Sequence, residues 1–149
     1  MFRTPLRVSF KASLVVMNSF STCLSGKVYF TFGQQFFGVE LKKAQKFYKR
    51  AINLLENQQT KDSYILMARA WHNYAAQDHY QDNSDIFISI ILNKSIPLAA
   101  KGERKDLEAQ YLNDIGSEMY NRKLYEKSIS YFDQSLKTIE KEPENYNVL

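Results

Sequence analysis

A short pattern occurs three times in this chain at nearly constant spacing: large apolar, two residues, large apolar, then a small residue. It reads Tyr29, Phe32, Gly33, then Trp71, Tyr74, Ala75, then Leu112, Ile115, Gly116. The small residues stand 42 and 41 residues apart. Each pattern is followed 11 to 13 residues later by a second one at i, i+4, i+7: Ala44/Tyr48/Ala51, Ile88/Leu92/Ser95 and Ser128/Phe132/Ser135. Residues three, four and seven apart share one face of a helix, so both patterns are helical. A small residue on such a face lets a second helix approach closely, and a bulky neighbour fills the space beside it.

Turn and cap residues punctuate the segments between. Asn57-Gln58-Gln59-Thr60 separates the first unit from the second, with Asp62 or Ser63 as an N-cap. Gln81-Asp82-Asn83-Ser84 is a polar turn, and Ser84 or Asp85 caps the next helix. Gly102 reads as a C-cap, and Asn121-Arg122-Lys123 as the last turn. Pro97 should kink or tighten its helix, because it removes an internal donor. Six helices result, at about 25–38, 40–57, 63–79, 84–101, 104–121 and 124–141, with no run of strand alternation. The reading is all-α, in units of about 25–60, 61–103 and 104–141. Tyr29, Phe32, Trp71 and Phe132 are expected in the core.

A chain of 149 residues with 44% hydrophobic and 24% charged residues has the size and composition of one globular domain. Five Gly, three Pro and 14% aromatic residues exclude collagen-like, linker or disordered character. The single Cys23 allows no internal disulfide, and no stretch approaches a membrane span. Residues 1–60 carry nine Lys/Arg against two Asp/Glu, whereas residues 61–149 carry eleven against fourteen. The basic third raises a nucleic-acid alternative. However, Lys42, Lys43, Lys46, Lys49 and Arg50 are explained more simply as a solvated helix face. Residues 1–24 read as an irregular or partly helical leader with a weak signal-like outline, Arg3, Arg7 and Lys11 before Leu14-Val15-Val16-Met17. A cytoplasmic location is expected, with export as the alternative if that leader acts as a signal.

Residues for catalysis or metal binding do not converge. His72 and His79 lie two helical turns apart, about 10.5 Å, too far to share a metal. Asp78 beside His79 is no catalytic pair, because adjacent helical residues point apart. Gly33 and Gly38 lack the Gly-Lys-Ser/Thr of a phosphate loop. Asn93-Lys94-Ser95 fits a glycosylation sequon, but Ser95 falls on a packed face. No nucleophile, base and orienting group stand in register, so neither an enzyme nor a cofactor is expected.

The whole set, Ala109 to Glu140 above all, resembles the tetratricopeptide repeat, here with a long period like that in the sensor regions of bacterial transcription regulators. The resemblance covers about residues 25–149. The usual period is about 34 residues, and the extra length is expected in the helices around the connections. It implies an α-solenoid of antiparallel helix pairs whose first helices line a concave groove. Carried over by register, the groove positions are Lys27, Phe30, Gln34 and Phe37, then Arg69, His72, Ala76 and His79, then Gln110, Asn113, Ser117 and Tyr120. Aromatics supply area, amides bond a peptide backbone, and Lys27 or Arg69 accepts a carboxylate. The implied activity is a non-catalytic scaffold that binds a protein or peptide partner in a signalling or regulatory protein. The family's paired Lys and Asn for a carboxyl-terminal peptide are not reproduced. After Glu142-Pro143 too few residues remain for a capping helix, so residues 142–149 suggest a truncated array, or a homodimer through the uncapped end.

Overall fold

The structure, a computed structural model, describes residues 6–79 and 84–140, and among them every regular element is helical. The elements are α1 (Leu6–Phe36), α2 (Leu41–Leu55), α3 (Lys61–His79), α4 (Ser84–Ile90), a π-helical turn (Ile91–Ser95), α5 (Ile96–Lys101), α6 (Lys105–Asn121) and α7 (Tyr125–Glu140). The stretch from α4 through the π turn to α5 forms one rod. Six rods therefore pack in adjacent pairs, each on the next: α1 on α2, α2 on α3, α3 on α4 and α5, α5 on α6, and α6 on α7. This is an all-α solenoid of antiparallel helix pairs. The expected turn at 81–83 and the short end at 142–149 lie outside the described residues.

The core runs along the stack in two patches. Phe30, Ala44, Tyr48, Ala51, Ile52 and Ala70 fill the space among α1, α2 and α3. Ala68, Ala75, Phe87, Ile88, Ile91, Ala99, Leu107, Tyr111, Ile115 and Met119 fill the space from α3 to α6. Because each helix face is buried only by its neighbours, the fold depends on close approach at the small residues. A β-carbon added at Gly33 would stand 2.5 Å from the Tyr48 ring, and one at Gly116 would stand 2.7 Å from the Phe132 ring. Gly33, Ala75 and Gly116 are all buried on the first helices of their pairs.

Several expectations need correction. The described part of the leader, read as irregular or partly helical, is helical: α1 begins at Leu6 and runs unbroken to Phe36. Phe32 is 46% exposed rather than core. Its place inside is taken by Phe30, whose ring lies 5.7 Å from that of Tyr48. In the second pair, Leu92 is exposed and Ile91 is fully buried. Both residues open the π turn, whereas Ser95 at its end is buried as expected. Pro97 follows that turn in the first turn of α5. A proline ring clashes with the carbonyl four residues earlier, here that of Asn93, so the widened turn relieves the clash that a regular helix would suffer. Pro97 therefore sits beside a loosened turn instead of a tightened one.

The caps also differ in detail. The N-cap of α3 is Thr60, neither Asp62 nor Ser63. The Ser63 N–H donates to Thr60 Oγ1 (3.2 Å) and the Thr60 N–H donates to Ser63 Oγ (3.1 Å), a reciprocal box. Gly102 ends α5 with φ −79, and the left-handed residue is Glu103 at φ 57. Arg104 N–H donates to Ala99 O and Glu103 N–H donates to Ala100 O, each at 3.0 Å, the paired bonds of a Schellman turn. The α6–α7 corner repeats it with Lys123 at φ 61. What Gly102 contributes is space, because a β-carbon there would stand 2.6 Å from Ile65 Cγ1.

Candidate functional site

On α6, Gln110, Asn113, Ser117 and Tyr120 are exposed, spaced by three and four residues and so on one face. The opposite arc, through Leu107, Tyr111 and Ile115, is buried in the stack. On α1, Lys27 and Gln34 are exposed and Phe37, just past its end, is half-buried. On α3, Arg69 is exposed, and His72 and Ala76 are half-buried. Helix periodicity thus puts the expected groove positions on the uncovered arcs of the three first helices, with two exceptions. Phe30 is only 6% exposed and belongs to the core, because its ring sits between Tyr48 and the Arg69 guanidinium, the latter 5.7 Å from the ring centre. The His79 side chain lies outside the described residues.

Phe37, His72, Ala76 and Ser117 come together around one open cleft of about 390 Å³, with Phe87, Asp114, Glu118 and Asn121 completing its wall. Its lining is drawn from the residue just past α1, the middle of α3, Phe87 of α4 and the second half of α6. Lys27, Gln34, Arg69, Gln110, Asn113 and Tyr120 do not line it. Tyr120 turns to the α7 corner, where its ring packs edge-on against Tyr125 at 5.5 Å.

A residue pair that sequence reasoning missed forms the floor. His72 Nε2 donates to Asp114 Oδ2 at 2.8 Å, and the imidazole stacks on the Tyr111 ring with centroids 4.7 Å apart. A carboxylate only accepts, so the bond places a proton on Nε2. Tyr111 itself is fully inside, and burial raises its phenol pKa above the ordinary range. The signal was present in the spacing: His72 and Asp114 are 42 residues apart, one repeat period, and so occupy matching levels of neighbouring helices. Beside them, Arg122 Nε donates to the buried Glu118 Oε1 (2.8 Å), while its Nη1 donates to Asp85 Oδ1 (2.6 Å). That arginine ties the end of α6 to the start of α4.

A second cleft, about 430 Å³, opens among α2, α3, the π turn and α5. Trp71 lines it half-buried, with Lys49 Nζ 4.6 Å and Lys94 Nζ 5.9 Å from its ring centre; Lys101 lies over Tyr64 at 5.6 Å. The π turn presents Asn93 and Lys94 here. Among the described residues, no group of three His, Cys, Asp or Glu is placed to hold a metal ion, and no helix is long and apolar enough to cross a membrane.

Comparison with protein-family models, with curated proteins and with solved structures returns no match for this chain.

Proposed function

We propose that the chain is a non-catalytic interaction scaffold that holds a peptide segment of a protein partner along the face formed by α1, α3 and α6. One observation carries the reading: a single cleft takes its lining from α3, α6 and the residue just past α1, with Phe87 of α4 beside them, which is how a stacked array offers a continuous surface to an extended ligand. The chemistry of that face is mixed. Phe37, Ala76 and Phe87 offer an apolar seat, and Ser117 and Asn121 offer hydrogen bonds beside it. Arg69, exposed and with no carboxylate within ion-pair distance among the described residues, is a charge available to the partner. Such a surface suits a segment with an aliphatic side chain near an Asp or Glu. The tetratricopeptide resemblance supports the same face and adds signalling or regulation as the setting.

Selection from a displayed random peptide library tests this. Enriched peptides should pair an acidic with an aliphatic residue and should lose about tenfold or more in affinity on Arg69→Glu or Ala76→Arg. The reading fails if no sequence enriches, or if enriched peptides bind both variants as they bind the parent chain.

A second reading takes an anionic partner, nucleic acid among them. Lys42, Lys46, Lys49 and Arg50 are exposed on α2 without ion-pair partners among the described residues, and Lys94 and Lys101 extend the charge past Trp71. It requires binding to a mixed-sequence oligonucleotide that falls steeply with added salt and is lost when Lys42, Lys43 and Lys46 are reversed to Glu.

A further inference from the structure

Both ends of the stack present a row of large apolar side chains to solvent. On α7 the row is Tyr125, Ile129, Phe132, Leu136 and Ile139, alternating steps of four and three residues, the seam of a helix built to pack against another. Phe132 leans on Gly116, whereas the other four are 48–60% exposed. The seam runs beside the contact with α6, which is fixed by Ser128 Oγ donating to Gly116 O (2.8 Å) and Ser135 Oγ donating to Ala109 O (2.7 Å). On α1 the row is Phe20, Leu24, Val28 and Phe32, each four residues after the last and 44–71% exposed. It faces away from the buried side of α1, which carries Gly26, Phe30 and Gly33. Contiguous exposed apolar rows of this kind mark interaction surfaces.

We infer that copies of this chain join head to tail, the α1 row of one copy docking on the α7 seam of the next. Charge selects this pairing. The α7 seam is edged by Glu126, Asp133 and Glu140, seven residues apart, and none has a basic partner within ion-pair distance among the described residues. The α1 row is edged by Lys27 on one side. On the other it merges with the aromatic ring cluster of Tyr29, Phe36 and Phe47, over which lie Arg50 of α2 and Lys43, the latter also paired with the exposed Glu40 at 3.4 Å. Two α7 seams packed antiparallel would set carboxylate row against carboxylate row, and packed parallel they would need the flank that Ser128 and Ser135 bury against α6. Two α1 rows would oppose bases to bases. Only the mixed pairing brings unlike charges together.

The dimensions match as well. The α1 row spans 12 residues and the α7 seam 14, about 18 Å and about 21 Å of helix at 1.5 Å per residue. The junction also repeats the internal packing, in which the second helix of a pair meets the first helix of the next, as α2 meets α3 and α5 meets α6. Because the two faces differ, the contact is heterologous and generates rings or open chains instead of a closed two-fold dimer.

Sedimentation and light scattering on the full chain test the inference. The average mass should rise with concentration above that of the 17.4 kDa monomer, and less so at high salt. Two blocked forms decide the geometry: Leu24→Glu with Val28→Glu, and Ile129→Glu with Leu136→Glu. Each alone should remain monomeric, and an equimolar mixture should form a dimer that grows no further, since each form keeps the face the other lacks. A second set changes charge only and leaves the apolar rows intact. Lys43→Glu with Arg50→Glu, or Glu126→Lys with Asp133→Lys, should weaken assembly about tenfold, and all four together should restore it. A parent chain that stays monomeric at every concentration overturns the inference, whether its own tail or nothing covers the seam. Either blocked form assembling alone like the parent overturns it in favour of a symmetric contact, and failure of the fourfold charge swap to restore assembly overturns it as well.

Discussion

His72 Nε2 donates to Asp114 Oδ2 across 2.8 Å, joining α3 to α6 at the floor of the cleft one repeat period apart. Both side chains are partly exposed, so solvent discounts the charge interaction. The stacked Tyr111 ring holds the imidazole in place and lowers the ordering cost of the bond. A double-mutant cycle with His72→Phe and Asp114→Asn, read by denaturant unfolding, should give a coupling energy of about 0.5–1.5 kcal/mol. A coupling indistinguishable from zero would mean that the pair merely lies side by side.

Gly33→Ala and Gly116→Ala should differ in sign or size although both glycines face an aromatic ring. Alanine gains about 1 kcal/mol of helix propensity over glycine at either site. At Gly33 the new methyl meets Tyr48, which is wholly buried and held by a hydrogen bond from Asn73 Nδ2 at 3.3 Å, so the ring cannot swing aside. Overpacking costs of about 1–3 kcal/mol then leave a net loss. At Gly116 the ring is that of Phe132, on the edge of the exposed seam, and it has room to rotate outward. That substitution should be close to neutral. Thermal melts of the two variants side by side provide the comparison.

The contrast between these two sites also shows what could be read before the structure. The small residues, the six rods and most helix ends follow from residue type and spacing, because a helix face buried by its neighbours leaves a period in the sequence. Three features did not follow. Leu92 and Ile91 exchange places where a π turn opens, and nothing in Ile91-Leu92-Asn93-Lys94-Ser95 signals that turn except Pro97 downstream. Phe30 and Phe32 exchange places because α1 is the outer helix of the stack: the residue that meets the Tyr48 ring wins burial, and the one facing away has no neighbour to cover it. Asp114 escaped notice because a single carboxylate on a polar face has no pattern of its own until its partner on the adjacent helix is known.

Alkaline pH should unfold this chain through two tyrosines. Burial pushes the Tyr48 phenol up to about 12, against the smaller opposing effect of the Asn73 hydrogen bond, and burial raises Tyr111 as well. Below the ordinary phenol pKa of about 10, both folded and unfolded chains keep these protons and stability does not respond. As pH rises past that point the unfolded phenols ionise first. The stability contributed by Tyr48 is then lost progressively up to its folded value of about 12. Denaturant midpoints measured at rising alkaline pH should fall from about pH 10 onward. Tyr48→Phe should flatten that slope, at the cost of the Asn73 bond; an unchanged slope would remove burial of this phenol as its cause.

The α6–α7 corner holds a correctable strain. Lys123 sits at φ 61, the left-handed position of a Schellman turn, where any residue with a β-carbon crowds the next carbonyl at a cost of about 1–2 kcal/mol. Its side chain is exposed, with no ion pair among the described residues, so its removal sacrifices little beyond a weak favourable charge near the end of α6. Glycine adopts this conformation freely, though it also gives the unfolded chain more freedom, which offsets part of the gain. The balance for Lys123→Gly is a stabilisation of about 0.5–1 kcal/mol, equivalent to a rise in Tm of about 1–4 °C for a domain of this size. Glu103, at φ 57 in the matching corner after α5, supplies the control, because Glu103→Gly also removes the ion pair with Lys61 and should gain less. Melting both variants checks the order: a Tm for Lys123→Gly at or below that of the parent chain would show that this turn is not strained in solution.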